Sequence, residues 1–153
     1  MRALELKVPP PVVAGTLAFV MWRLAVAAPA WAVDVPGRVP VAIAFVLAGL
    51  LIDASGLVAF LKAKTTINPL KPGATSALVT RGIYRYTRNP MYLGLLCLLT
   101  GWGVHLAHPA ALVCVPAFVL YISRFQIAPE ERALAAKFGA EYDRYRSLVR
   151  RWL

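Results

Sequence analysis

Acidic residues are scarce in this chain. Only seven Asp and Glu stand against 17 Lys and Arg in 153 residues, and charged residues of both signs make up just 16%. A soluble domain of this length needs a larger charged surface, so the bilayer is the natural solvent. Sulfur and imidazole are scarce as well. Cys97 and Cys114 sit in apolar runs without Cys-x-x-Cys spacing, and the scattered His105 and His108 cannot complete a zinc set with them. No metal is expected, and both cysteines read as core residues. No Gly-x-Gly-x-x-Gly lies between a strand and a helix; Gly101-Trp102-Gly103 falls inside an apolar run, where it means packing. Internal repeats and low-complexity segments are also missing.

What is present is apolar: 59% of residues are hydrophobic, and the mean hydropathy is +0.63. Four stretches emerge, at about 10–30, 39–61, 91–107 and 109–125. The first two approach the roughly 20 residues that cross a bilayer core. The last two are nearer ~17 residues and suit a tilted helical hairpin. Pro9, Pro10 and Pro11 open the first, where missing amide donors cost little. Arg2 and Lys7 before that run imitate a signal peptide, but no small-residue cleavage site with a polar mature segment follows. An uncleaved first helix is expected.

The net charge of +10 would suggest nucleic acid in a soluble protein. Here the cations flank apolar runs, so anionic lipid headgroups are the expected partner and nucleic acid is not. Lys62, Lys64, Lys71, Arg81, Arg85 and Arg88 crowd the central loop, 62–90. Arg132, Lys137, Arg144, Arg146, Arg150 and Arg151 crowd the tail, whereas the connections at 34–38 and 105–108 carry one basic residue and none. The positive-inside rule then puts both termini and the central loop in the cytoplasm, with four crossings. In the tail, Leu134, Phe138, Tyr142, Tyr145, Val149 and Trp152 recur at steps of four and three. That stripe predicts an amphipathic interfacial helix over 130–152, with a possible break at Gly139. The expected fold is a single all-α membrane domain, 1–153, of about four transmembrane helices and this cytoplasmic tail helix.

Two segments concentrate polar groups. Residues 78–94 carry Arg81, Arg85 and Arg88, with Tyr84 and Tyr92, punctuated by Gly82 and Pro90. On residues alone this is an interfacial loop whose arginines meet phosphates, or a site. Pro129-Glu130-Glu131 is an ordinary helix start with carboxylates in the first turn. Asp53, inside the second apolar stretch, divides evenly between a structural contact and a functional one.

Together these pieces resemble the isoprenylcysteine carboxyl methyltransferase family, itself similar to the integral-membrane phospholipid N-methyltransferases. The likeness rests on Gly82-Ile83-Tyr84, Arg88-Asn-Pro-Met-Tyr-Leu-Gly94, Glu130-Glu131 and the aromatic tail through Arg151-Trp152, in that order over about the last 85 residues. It implies S-adenosylmethionine as cofactor and an all-helical fold. By similarity the cofactor is cradled by Ser76, Ala77, Leu78 and Val79, by Tyr84, by the turn Asn89-Pro90-Met91-Tyr92, and by Glu130. Arg88 or Arg85 can pair with the cofactor carboxylate, and Tyr92 and Glu131 are the candidate bases for a protic acceptor. Asn89 stands where the family usually has His, which removes a titratable base there. Gln126 stands where isoprenylcysteine enzymes often place an Arg that can meet a substrate carboxylate. Gln126 is therefore the expected substrate contact, with an acceptor other than an isoprenylcysteine carboxylate. The resemblance thus implies a membrane methyltransferase of a small or lipophilic acceptor, with a phospholipid amine as second choice. A non-catalytic membrane scaffold of the same fold is the competing class.

Overall fold

The computed structural model describes residues 5–63 and 77–153, and it is helical throughout, with no strand among the described residues. Helix α1 spans Pro10–Ala27, α2 Arg38–Ala63, α3 Pro90–Leu106, α4 Pro109–Leu112, α5 Cys114–Ile122, α6 Ala128–Phe138 and α7 Ala140–Leu148. Proline opens α1, α3 and α4, positions where its missing N–H would have no helical partner. The first helix stops at Ala27, short of the expected residue 30. Pro29 disfavours helical geometry at Ala28, which adopts φ −132° and ψ 61°.

Among the described residues, three continuous helical stretches are long and apolar enough to cross a membrane: Pro10–Ala27, Arg38–Ala63 and Pro109–Phe138. Helix α3 is apolar but shorter. Leu47, Leu50, Leu51 and Leu61 on α2 and Phe19 and Trp22 on α1 face outward. In water such surface would be costly; in a multi-pass membrane bundle it meets lipid tails of the same polarity.

The expected boundary near residue 125 does not exist. From α5 the chain continues through a π-helical turn, Ser123–Ile127, straight into α6. Pro129 explains that turn. A proline within a helix removes one amide donor and crowds the carbonyl four residues back, here that of Phe125. The wider turn makes room, and the Phe125 carbonyl instead accepts the Leu6 N–H at 3.0 Å. The expected tail helix over 130–152 is likewise two helices, broken at Gly139, whose φ of 51° and ψ of −125° suit only glycine. Beyond Leu148 the chain is extended.

Helix α2 packs along the length of α3, while α1 lies against α3, α4 and α5. Small residues allow the α2–α3 approach: a Cβ on Gly49 would sit 2.8 Å from the Gly94 carbonyl oxygen. Met21, Leu99, Ala111, Phe118 and Ile122 fill the other side as a core shared by α1, α3, α4 and α5. At the far end, His108 contacts the Ala28 carbonyl at 3.0 Å, tying the α3–α4 turn to the end of α1. This is a structural duty. The chemistry-bearing residues all gather at the opposite end.

Candidate active site

Three chain segments interlock beside one cavity of about 470 Å³, which α1 and α2 also line. The first is the turn entering α3. A short 3₁₀ helix, Gly82–Arg85, starts from Gly82 at φ 64° and buries Tyr84. Thr87 then turns the chain: its hydroxyl accepts the Asn89 N–H at 3.2 Å and donates to the Arg151 carbonyl at 3.4 Å. Pro90 begins α3, so Arg88 and Asn89 end up just outside the helix and Met91 and Tyr92 in its first turn.

The second segment is the first turn of α6, delivered by the π-helical turn. The Tyr92 hydroxyl donates to Glu130 Oε1 across 38 residues of sequence. Beside it, Arg88 Nη2 lies 3.0 Å from Glu131 Oε1, with the two side chains only 10% and 15% exposed.

The third segment is the extended C-terminal end. Arg88 N–H donates to the Arg150 carbonyl at 3.0 Å, and the Asn89 amide donates to the Arg151 carbonyl at 2.8 Å. Arg151 itself forks onto Glu131, Nε to Oε1 at 3.0 Å and Nη2 to Oε2 at 2.6 Å. Trp152 adds a hydrogen bond to Ser123 Oγ at 3.2 Å. From α7, Tyr145 donates to the Tyr84 carbonyl at 2.7 Å. The tail is therefore stitched to both other segments rather than lying free.

Electrostatics follow from this burial. Burial pushes the Tyr84 phenol far above its ordinary value, with Tyr145, Glu130 and Asp53 adding to the effect. Tyr145 is raised for the same first reason, so both phenols stay protonated and can only donate or accept as neutral groups. The hydrogen bond to Glu131 raises Arg151 further. Glu131 is thus a carboxylate clasped by two guanidinium groups, and burial leaves Arg88 Nε and Nη1 without a partner.

A match to the phospholipid methyltransferase family covers residues 38–141, more than half of the chain. The chain belongs to that family. An uncharacterized protein of Haemophilus influenzae is 51% identical over 63 residues, which is 41% of this chain and 100% of that protein. The probable protein-S-isoprenylcysteine O-methyltransferase of Oryza sativa subsp. indica is 40% identical over 75 residues, 47% of this chain and 38% of the plant protein. Protein-S-isoprenylcysteine O-methyltransferase A of Arabidopsis thaliana is 39% identical over 75 residues, 47% of this chain and 36% of its own length. The chain thus spans well under half the length of these plant relatives. No solved structure matches it.

Most residues singled out from the sequence line the family member's cavity: Ala77, Leu78 and Val79 on one wall, Tyr84, Arg88 and Asn89 at the turn, Met91 and Tyr92 on α3, and Glu130 with Glu131 on α6. Ser76 lies outside the described residues. Pro90 is buried behind the cavity, facing Gly56 of α2, and does not line it. Gln126 is also outside the lining. It is fully buried, and its amide donates to the Val8 carbonyl at 2.6 Å, fastening the segment before α1. Sequence reasoning left out Pro10, Pro11, Leu57 and Phe60, and it left Asp53 undecided; all five line the cavity. Only Asp53 carried a signal beforehand, as a carboxylate within an apolar run.

Proposed function

We propose that this chain is an S-adenosylmethionine-dependent integral membrane methyltransferase acting on a small or lipophilic acceptor at the cytoplasmic face. One observation carries the reading. The Arg88–Tyr92 turn and the Glu130–Glu131 pair converge on one cavity, and Arg88, which lines it, has two buried guanidinium nitrogens without a partner.

The residues fit the cofactor. A volume near 470 Å³ lies within the ~300–1,000 Å³ usual for small-molecule sites. Arg88 Nε and Nη1 suit the methionyl carboxylate, which needs charge-assisted donors. Glu130 accepts from ribose hydroxyls or from the ammonium, and Tyr84, Tyr92 and Met91 offer aromatic and thioether surface to the adenine and sulfonium. When bound, the cofactor supplies an activated methyl group on sulfur. The protein's task is then to orient both partners and exclude water.

The contacts of Glu131 and Tyr92 support roles other than that of a base. Glu131, taken up by Arg88 and Arg151, serves as a positioning residue that fixes Arg88 rather than as a base. The Tyr92 hydroxyl proton is committed to Glu130, so Tyr92 orients that carboxylate. The acceptor enters sideways from lipid: Ala54 and Leu57 on the outward face of α2 line the cavity together with Pro10 and Pro11, and α1 and α2 have little direct contact. A phospholipid amine is the second acceptor reading, supported by the family match. The clusters of Lys and Arg at the central loop and tail support a cytoplasmic position for this end, in a bacterial inner membrane.

The test is calorimetric titration of the detergent-solubilised chain with S-adenosylmethionine and S-adenosylhomocysteine. Saturable binding by the wild type, lost in Glu130→Ala with helicity retained, is the expected result. A folded wild type that binds neither compound overturns the proposal in favour of a scaffold.

A further inference from the structure

Asp53 has no part in the cofactor's cradle as argued above, yet it lines the same cavity. It lies mid-way along α2, ten residues before Ala63, which is about 15 Å along the helix axis at 1.5 Å per residue. Its carboxylate rests against Gly94 of α3: a Cβ added to that glycine would collide with all three carboxylate atoms. Gly94 is thus a notch that admits the carboxylate between two otherwise tightly packed helices. Asp53 Oδ1 is buried and has no hydrogen-bond partner. Such an arrangement costs free energy unless a ligand completes it, because an unpaired carboxylate in a low-dielectric setting is strongly disfavoured.

The surroundings say which ligand. The lining contributed beside Asp53 by α2 and α3 is largely apolar, Ala54, Leu57, Met91 and Leu95, with the neutral Tyr84 phenol close enough to feel the carboxylate. Among the described residues Arg88 is the only cation in the lining, and it is held by Glu131 and, in the reading above, taken up by the cofactor carboxylate. A negatively charged acceptor would therefore meet Asp53 with no cation free to offset the repulsion.

We infer that Asp53 accepts the proton of a protic acceptor, an amine or a hydroxyl carried on an apolar body. This rests on the methyltransferase reading above. The acceptor's lone pair forms the new bond to the methyl carbon as the carbon–sulfur bond breaks with its electron pair left on sulfur. The proton shed by nitrogen or oxygen passes to an Asp53 carboxylate oxygen. A carboxylate acceptor, which has no proton to lose, gains nothing from such a residue. Asp53 is then a catalytic residue and selects the acceptor class.

The test uses the full chain in detergent with methyl-labelled S-adenosylmethionine and three probes of one tail length: dodecylamine, dodecanol and dodecanoate. The wild type is expected to label dodecylamine or dodecanol at least tenfold more than dodecanoate. Asp53→Asn is expected to lower that labelling about 100-fold or more, the range for loss of a proton-accepting group, and Asp53→Glu to recover part of it. S-adenosylhomocysteine affinity of Asp53→Asn, read by calorimetry, should stay within about threefold of wild type, since each tenfold is ~1.4 kcal/mol. Binding of dodecylamine to the S-adenosylhomocysteine-loaded protein should weaken in Asp53→Asn, a readout independent of turnover. Undiminished labelling by Asp53→Asn, preference for dodecanoate, or no labelling of either protic probe by protein that binds S-adenosylhomocysteine overturns the inference alone. So does an Asp53→Asn protein weakened for S-adenosylmethionine but not for S-adenosylhomocysteine, which would assign Asp53 to the sulfonium. Failure of the wild type to bind S-adenosylhomocysteine instead removes the methyltransferase reading beneath it.

Discussion

Arg151 holds Glu131 at two points, with Nε 3.0 Å from Oε1 and Nη2 2.6 Å from Oε2. The C-terminal end thereby closes over the turn that carries Arg88, which reaches the same Oε1 at 3.0 Å. The two arginines are not equivalent. The Arg88 side chain is 10% exposed and the Arg151 side chain 41%.

That difference sets the first expectation. Arg88→Ala strands a nearly buried carboxylate with one partner and should destabilise the fold by about 3 kcal/mol, the scale for breaking a buried pair. Arg151→Ala removes a solvent-screened contact and should cost about 1 kcal/mol or less. Thermal unfolding in detergent checks the order. S-adenosylhomocysteine titration adds a second readout: Arg88→Ala should lose binding, whereas Arg151→Ala should retain it. Equal melting shifts for the two variants would show that the tail, not the turn, anchors Glu131.

Tyr92→Phe probes the link between α3 and α6. The hydroxyl is the Glu130 partner, and removing it leaves a carboxylate short of one donor, at a cost of about 1–3 kcal/mol. Loss of about tenfold in S-adenosylhomocysteine affinity is expected, because Glu130 would turn away from the cavity. Methyl transfer at saturating cofactor should survive, since the proton acceptor is Asp53. A variant with normal affinity but abolished transfer would return Tyr92 to the role of base.

How much of this was legible beforehand depends on the kind of signal. Apolar run length and helix-opening prolines are local, so α1, α2 and α3 could be placed within a few residues. The continuation of α5 into α6 could not, because a charged stretch containing Pro129 reads as a break; only the π-helical turn and the Leu6 contact at Phe125 show how the helix survives it. Arg88, Tyr92 and Glu130 were marked by the family pattern, and the fold brings them together. Gln126 lies away from the cavity for a geometric reason: sequence spacing does not say which side of a wide turn a side chain takes, and here it faces Val8. Asp53 stood out chemically, but its partner at Gly94 is 41 positions on, beyond any local rule.

Alkaline pH should reveal the buried phenols. Tyr84 and Tyr145 are both raised, first by burial, so the folded state favours their neutral forms. Unfolded tyrosine ionises near pH 10. Stability from these groups is fully present below that value and falls as pH rises beyond it, toward the higher folded values, because the unfolded chain loses protons first. Tyr145→Phe should start less stable, having lost the bond to the Tyr84 carbonyl, yet decline less steeply between about pH 9 and 11. Melting temperatures across that range measure the slope, and parallel slopes for the two proteins would rule out a buried Tyr145.

Gly94 and Asp53 should behave as a coupled pair. Adding a methyl group at Gly94 drives it into the Asp53 carboxylate, and such overpacking costs about 1–3 kcal/mol. Asp53→Ala removes the obstacle, so Gly94→Ala should be far less harmful in an Asp53→Ala background, with a coupling of about 1 kcal/mol or more. Gly49→Ala supplies the control. Its Cβ would meet the Gly94 carbonyl oxygen at 2.8 Å, which is backbone and unaffected by Asp53, so the same background should give it no relief. Thermal unfolding of the four proteins in each cycle reads the coupling. Additive effects for Gly94→Ala and Asp53→Ala would mean that the carboxylate does not occupy the notch, and the position from which Asp53 takes a proton would be lost with it.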